Sequence, residues 1–313
     1  MVLSEVEPLD ADACMNEPRA SSHYYFSQRL RLHYLDWGNG TRPPMLLVHG
    51  VQDHCHTWDF LANRFIDTHH VVVPDLRGHG DSDWNRGSAY RHSDYVYDLV
   101  RLIEQRRLHG CVLIAHSMGA TVAAQLAGAW PGLVSKLVLL EGVGLWPGWY
   151  EGMLSPEKFR TWEQQMLKLA DRVPRRYPSL EAACERMRQV NPNLDASIAR
   201  HLTVHGSHQN EDGSYSWKFD NYTHSPSLYP MPEADTVALW KSVASPTLIL
   251  NAKQGFSHRI GQDSTIRHFQ DARMLDIDGA GHWLHHDQLD TVVAHIDQFF
   301  GLHRTVAMTD HSS

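Results

Sequence analysis

A chain of 313 residues, 42% hydrophobic and 20% charged, has the make-up of a folded globular protein rather than a disordered one. Its 28 Lys and Arg stand against 36 Asp and Glu, a formal charge of −8 with histidine neutral, which argues against a protein that tracks nucleic-acid phosphates. No apolar run approaches the ~18 residues of a membrane span, and the opening MVLSEVEPLDADACMNEP lacks the basic-then-apolar layout of a secretory signal.

In chain order, residues 1–22 are polar and expected to be loosely ordered. Two strand-like runs follow, HYYFSQ and LRLHYLDWG, and the second ends at Gly38 and Gly40. The apolar run Met45–Val48 leads to His49-Gly50. Trp58, Leu61 and Phe65 then recur at helical spacing. His70–Val73 reads as a buried strand ending at Pro74-Asp75. The rhythm repeats: a helix-period segment through Tyr95, Leu99, Val100 and Ile103, the strand Cys111–Ala115, the small-residue helix MGATVAAQLAGAW, and the strand Lys136–Leu140. Buried strands alternating with amphipathic helices imply a parallel sheet covered by helices on both faces.

Residues 145–240 break that rhythm. Two charged helical patterns, SPEKFRTWEQQMLKLADR and SLEAACERMRQV, are followed by Asp212-Gly213, a hairpin signal beside SYSWKF. The β/α pattern resumes at Pro246–Leu250 and Arg273–Ile277, and a last helix is expected from about Asp287 to Phe300. Residues 303–313 read as a flexible tail. The organisation is therefore one α/β core, 23–144 and 241–302, with an α-rich insert between its halves.

The chain carries 23 histidines, almost as many as Lys and Arg together, which raises the question of a metal. The tightest groups, His54-Cys55-His56, His69-His70 and His285-His286, give neither H-E-x-x-H nor a facial-triad spacing. The cysteines Cys14, Cys55, Cys111 and Cys184 lie far apart with no C-x-x-C pair. No metal or other cofactor is expected, and the thiols read as reduced, in a cytoplasmic protein.

The strongest chemical signal is Ala115-His116-Ser117-Met118-Gly119, set between a buried strand and a small-residue helix. A nucleophile elbow needs this context, because a tight strand-to-helix turn lifts the serine oxygen out of the sheet edge. The alternative is a serine that merely caps the helix. Two further segments favour the elbow. His49-Gly50-Val51-Gln52 turns after a strand, so that the N–H groups of Val51 and Met118 could form an oxyanion hole. Gly279-Ala280-Gly281-His282-Trp283 is a small-residue loop that could bring the His282 imidazole to Ser117.

Taken together, LLVHGVQD, VVVPDLRGHGDSD, AHSMG and GAGHW resemble the α/β-hydrolase superfamily in order and spacing. The resemblance covers the core and implies a mostly parallel, doubly wound sheet with a helical cap inserted after the sixth strand. Ala115 stands where the usual G-x-S-x-G motif has its first glycine. The larger departure is the acid. Many relatives place an aspartate after the seventh strand, but here that turn reads Asn251-Ala252-Lys253-Gln254-Gly255-Phe256, without a carboxylate. Haloalkane dehalogenases, which are similar here, carry their acid after the sixth strand, where this chain has Glu141. A carboxylate beside an apolar strand needs a partner, and His282 is the natural one. The order Ser117, Glu141, His282 matches the triad order of the fold.

Haloalkane dehalogenases and epoxide hydrolases use an aspartate at the elbow, because a carboxylate is alkylated there. Ser117 instead favours acyl transfer. The expectation is a serine carboxylic-ester hydrolase acting on a small, partly apolar substrate. A lactonase, a C–C bond hydrolase or a slow receptor-like binding protein are the alternatives. Gln52, His116, Trp146, Trp149, Trp217 and Trp283 are candidate pocket residues, and the cap aromatics suggest an apolar lining. No nucleic-acid or membrane partner is expected, and the chain reads as a monomer or homodimer.

Overall fold

The computed structural model describes residues 20–38, 40–87, 90–145, 150–255 and 265–302. Its frame is an eight-stranded sheet. The strands are β1 (Ser21–Ser27), β2 (Leu30–Asp36), β3 (Pro44–Val48), β4 (His70–Pro74), β5 (Cys111–His116), β6 (Val134–Leu140), β9 (Thr247–Ala252) and β10 (Ala272–Ile277). They lie in the order β1-β2-β4-β3-β5-β6-β9-β10. β1 pairs antiparallel with β2, and β2 with β4, while every other pair is parallel.

The parallel strands are short apolar runs because both faces are covered. Side chains alternate across the strand, so Cys111, Leu113 and Ala115 of β5 enter one core while Val112 and Ile114 enter the other. Helices α2 (His92–Arg106) and α3 (Met118–Ala129) cover the first face, and α9 (Leu289–Phe300) covers the second. The glycines and alanines of α3 let it lie close to the sheet. A Cβ on Gly119 would come within 2.4 Å of the His49 carbonyl oxygen. The strand order turns back on itself between β3 and β5, and an open α/β sheet forms its crevice at the carboxyl ends of such a pair.

Between β6 and β9 the described chain forms α4 (Ser155–Ala170), α5 (Leu180–Val190), α6 (Ala196–Gly206), a two-stranded hairpin β7 (Ser207–Gln209) and β8 (Tyr215–Trp217), and α7 (Glu233–Ser242). The hairpin turns at Asp212-Gly213, where Gly213 takes φ +84°. α7 runs through residue 240, the edge of the expected insert, and lies against α3. A Cβ on Gly128 would meet the Leu239 carbonyl oxygen at 2.2 Å, and Trp240 stacks on Phe269 in the main core.

Two helix expectations change. The helix expected over Trp58–Phe65 is a 3-10 turn, Cys55–Trp58, followed by one α-turn, α1 (Asp59–Ala62). Beyond it the backbone closes i→i+3 bonds, from Arg64 N–H to Leu61 and from Phe65 N–H to Ala62, which still bury Leu61 and Phe65. The C-terminal helix starts two residues later than expected, at Leu289, because Gln288 leaves helical geometry at φ −137°, ψ 49°; a separate turn, α8 (Leu284–Asp287), precedes it. Cys55 and Cys111 are buried free thiols, and no disulfide occurs among the described residues.

Candidate active site

Ser117 sits between β5 and α3 at φ +53°, ψ −125°, a conformation L-residues rarely adopt. Its side chain makes no capping bond to α3, so the helix-cap alternative fails. Two neighbours have little room for a side chain. A Cβ on Gly142 would sit 2.0 Å from the Ser117 carbonyl oxygen, and one on Gly50 2.9 Å from the Ser117 Cβ. Gln52 and Glu141 also take positive φ, +59° and +46°. Two of these three, Ser117 and Gln52, line the same cavity, and Glu141 lies buried behind His282, the kind of strain that concentrates at functional sites.

His282 follows β10 and reaches the elbow. Its Nε2 lies 3.0 Å from Ser117 Oγ, and its Nδ1 lies 3.6 Å from Glu141 Oε2. Glu141, at the end of β6, is fully buried in its side chain. Its Oε1 accepts the Ala252 N–H at 2.5 Å. Gly255 leaves the carboxylate its space, since a Cβ there would approach Oε2 to 2.3 Å. The turn after β9, which lacks an acid of its own, thus grips the acid of β6 through its backbone. Trp146 and Trp149 lie outside the described residues.

His116 lies against His282. Its Nε2 donates to the His282 carbonyl at 2.8 Å, and its ring lies 4.6 Å from that of His282. Burial pushes the His116 imidazole well below its usual range, so it is neutral and serves as framework. His49 plays a similar part under the elbow. Leu76 N–H donates to its Nε2 at 3.0 Å, which leaves Nδ1–H to donate to the Gly50 carbonyl at 2.7 Å. Met118 opens α3, whose first N–H groups have no acceptor within the helix.

A cavity of about 690 Å³ opens over Ser117. Gln52, His116, Trp217 and Trp283 line it, together with Val51 and Phe219. Two other aromatics of the insert, Tyr150 and Trp240, are buried and do not line it. The lining departs from the apolar expectation. Arg172, Arg175, Arg186 and Lys218 all border the cavity. Lys218 pairs with Asp81 at 2.8 Å, whereas no ion pair engages the three arginines among the described residues. Asp53 also borders it; burial raises its carboxyl to about 7, while bonds from the His54 N–H and Trp283 Nε1 pull the other way. The four cations come from loops and a helix scattered through the insert, and no local spacing announces them.

A family model described as the alpha/beta hydrolase family matches residues 45–295, so the chain belongs to that family. Among curated relatives, epoxide hydrolase 4 of Mus musculus is 31% identical over 132 residues, 41% of this chain and 37% of that protein. The chain therefore covers little more than a third of that relative's length. Epoxide hydrolase 3 of Mus musculus is 23% identical over 301 residues, covering 88% of this chain and 78% of the relative. Among solved structures, a hypothetical protein of Pseudomonas aeruginosa superposes with a TM-score of 0.79 at 25% identity, over 90% of this chain and 99% of the other. An esterase of Mycobacterium tuberculosis gives 0.73 at 20% identity, over 93% and 95%. The chain has the fold of this family, and among the described residues no helix is long and apolar enough to cross a membrane.

Proposed function

We propose that the chain is a serine hydrolase that cleaves a carboxylic ester through an acyl-enzyme. The observation that carries this reading is the contact of His282 Nε2 with Ser117 Oγ at 3.0 Å, with the Glu141 carboxylate on the far side of the ring. In the proposed reaction His282 takes the Ser117 proton as Oγ attacks the ester carbonyl. Glu141 holds the ring and stabilises its cation. The N–H groups of Val51 and Met118 receive the oxyanion, and loss of one such donor costs roughly 2.7–4 kcal/mol in related sites. His282 then protonates the leaving alkoxide. Water, with His282 as base, releases the acid and restores the serine.

Relatives named epoxide hydrolases offer a second reading, and the nucleophile weighs against it. A serine oxygen that opened an epoxide would be left as an alkyl ether, which water does not cleave, whereas an acyl-serine turns over. The three unpaired arginines at the cavity favour a substrate with an anionic group, a carboxylate above all, away from the scissile ester.

The test is a panel of p-nitrophenyl esters of graded chain length, neutral and with a terminal carboxylate, run with lactones, styrene oxide and a fluorophosphonate probe. Ester turnover is expected, with a lower KM for carboxylate-bearing acyl groups. Ser117→Ala should lose both turnover and labelling while its melting temperature holds. Undiminished ester cleavage by that variant, or epoxide opening without ester cleavage, would overturn the proposal.

A further inference from the structure

Three imidazoles and a carboxylate converge beside the cavity, away from Ser117. His56 belongs to the 3-10 turn Cys55–Trp58, Asp59 opens α1, and His201 and His205 lie one turn apart on α6. One ligand atom from each of the four falls within 4.8 Å of all the others. Asp59 Oδ2 accepts from His56 Nδ1 at 2.7 Å and from His201 Nε2 at 3.0 Å. The rings of His56 and His205 stack at 3.7 Å, and those of His201 and His205 lie 4.7 Å apart. His205 makes no hydrogen bond among the described residues, and the buried Asp59 Oδ1 has no such partner either. All four residues are half-buried, so an ion has a route in from solvent.

Hydrogen bonding alone gives a poor account of this cluster. Asp59 is already bonded to two rings, and the third is stacked on one of them, His56, without a polar partner among the described residues. Three borderline nitrogen donors and one carboxylate oxygen suit a four-coordinate ion of the zinc kind. Calcium and magnesium, which take six or more oxygens, do not suit it. Binding an ion requires two changes: the stacked rings of His56 and His205 turn so that a nitrogen of each faces the ion, and in His56 and His201 the proton moves to the other ring nitrogen, freeing a lone pair on the nitrogen that now donates to Asp59.

We infer that His56, Asp59, His201 and His205 form a binding site for one divalent transition-metal ion, which fastens α6 of the insert to the core turn at residues 55–59. Four protein donors leave no position for substrate, so the role is structural. The same seam carries the contact of His54 Nε2 with the Leu202 carbonyl at 2.9 Å, and His54, Leu202 and Gly206 line the cavity. The ion would therefore fix one wall of the cavity. Neighbouring residues in the sequence do not reveal the site, because its halves lie more than 140 positions apart.

The test uses the full chain, stripped with chelator and titrated with zinc alone by calorimetry and with cobalt(II) alone by absorption. One ion per chain is expected, with ligand-field bands of a four-coordinate cobalt site and a metal-dependent rise in melting temperature. His201→Asn/His205→Asn should weaken binding by more than the roughly 10–100-fold lost with an outer-shell partner. Asp59→Asn should weaken it too, in case the double variant folds poorly. His109→Gln, at a histidine 51% exposed on the surface, should bind as the parent does. Absence of saturable binding, six-coordinate cobalt spectra, or equal affinity in folded His201→Asn/His205→Asn would overturn the inference.

Discussion

Glu141 depends on its neighbours more than its charge alone suggests. One carboxylate oxygen is committed to the Ala252 N–H, and the other faces His282 Nδ1. Glu141→Gln would keep the size and change the bonding. If the amide oxygen stays on Ala252 N–H, the NH₂ faces Nδ1. The imidazole must then carry its proton on Nε2, where it cannot take one from Ser117. Loss of the charge also leaves the imidazolium of the transition state unsupported. The expected outcome is a fall in kcat of about 10²–10⁴-fold with little change in KM, by analogy with acid-to-amide exchange in serine hydrolases. Steady-state kinetics with the best p-nitrophenyl ester would check this, and near-parental kcat would remove Glu141 from the proposed triad.

At the scale of elements, one buried ion pair joins three segments. Arg77, in the turn after β4, meets Asp98 of α2 with both Nε and Nη2 at 2.6 Å. Ser27 of β1 donates to the same carboxylate at 2.5 Å, and both charged side chains are at most 2% exposed. Removing one partner leaves a buried, uncompensated charge, which typically costs 3–5 kcal/mol. Asp98→Ala should therefore unfold at clearly lower urea, by about that much. Arg77→Met/Asp98→Leu should recover a large part of the loss; a double variant as unstable as Asp98→Ala would show that the charge is not the cause. The sequence could not pair these residues, although VVVPDLRGHGDSD marked the turn. Likewise, β3 to β6 and β9 were legible because each is a short apolar run between turn residues. Ser117 and His282 were legible because tight approach forces small neighbours that print as motifs. Glu141 enters the proposed triad through the acid missing after β9. By contrast α7 went unread, since Trp240 is its one fully buried side chain and so leaves no stripe. Helix α6 went unread because its buried positions, Ala199, Leu202, Thr203 and Gly206, include a hydroxyl and a glycine. The cavity cations were invisible for another reason: charged residues on separate loops carry no periodicity, and only the fold brings them together.

For the whole molecule, the histidine excess becomes a statement about acid stability. Several histidines are packed in the interior rather than spread on the surface. Burial lowers His49 and His286 to about 3 and His54 and His79 to about 4, and holds His116 and His285 lower than usual as well. In the unfolded chain each titrates near 6.5. Above about pH 8 these rings are neutral in both states and contribute no slope. Between about pH 6.5 and 4 the unfolded chain binds protons that the folded one refuses, so stability falls as pH falls. Asp53 acts in the opposite direction. Its folded value near 7 means that the native state holds a proton which the unfolded chain releases until about pH 4. Asp75, held well below the usual carboxylate range against its own burial by the His33 side chain, loses its contribution only at lower pH. Two uncompensated protons would give a slope of about 2.7 kcal/mol per pH unit, large against a total stability of about 5–15 kcal/mol. Urea unfolding in chelator at 25 °C should show a plateau above about pH 8 and a steep loss toward pH 5. Asp53→Asn, which removes the opposing proton, should steepen that loss by up to about 1.4 kcal/mol per pH unit. A parental curve that stays flat from pH 7 to 5 would mean that the interior histidines take up protons without unfolding the chain.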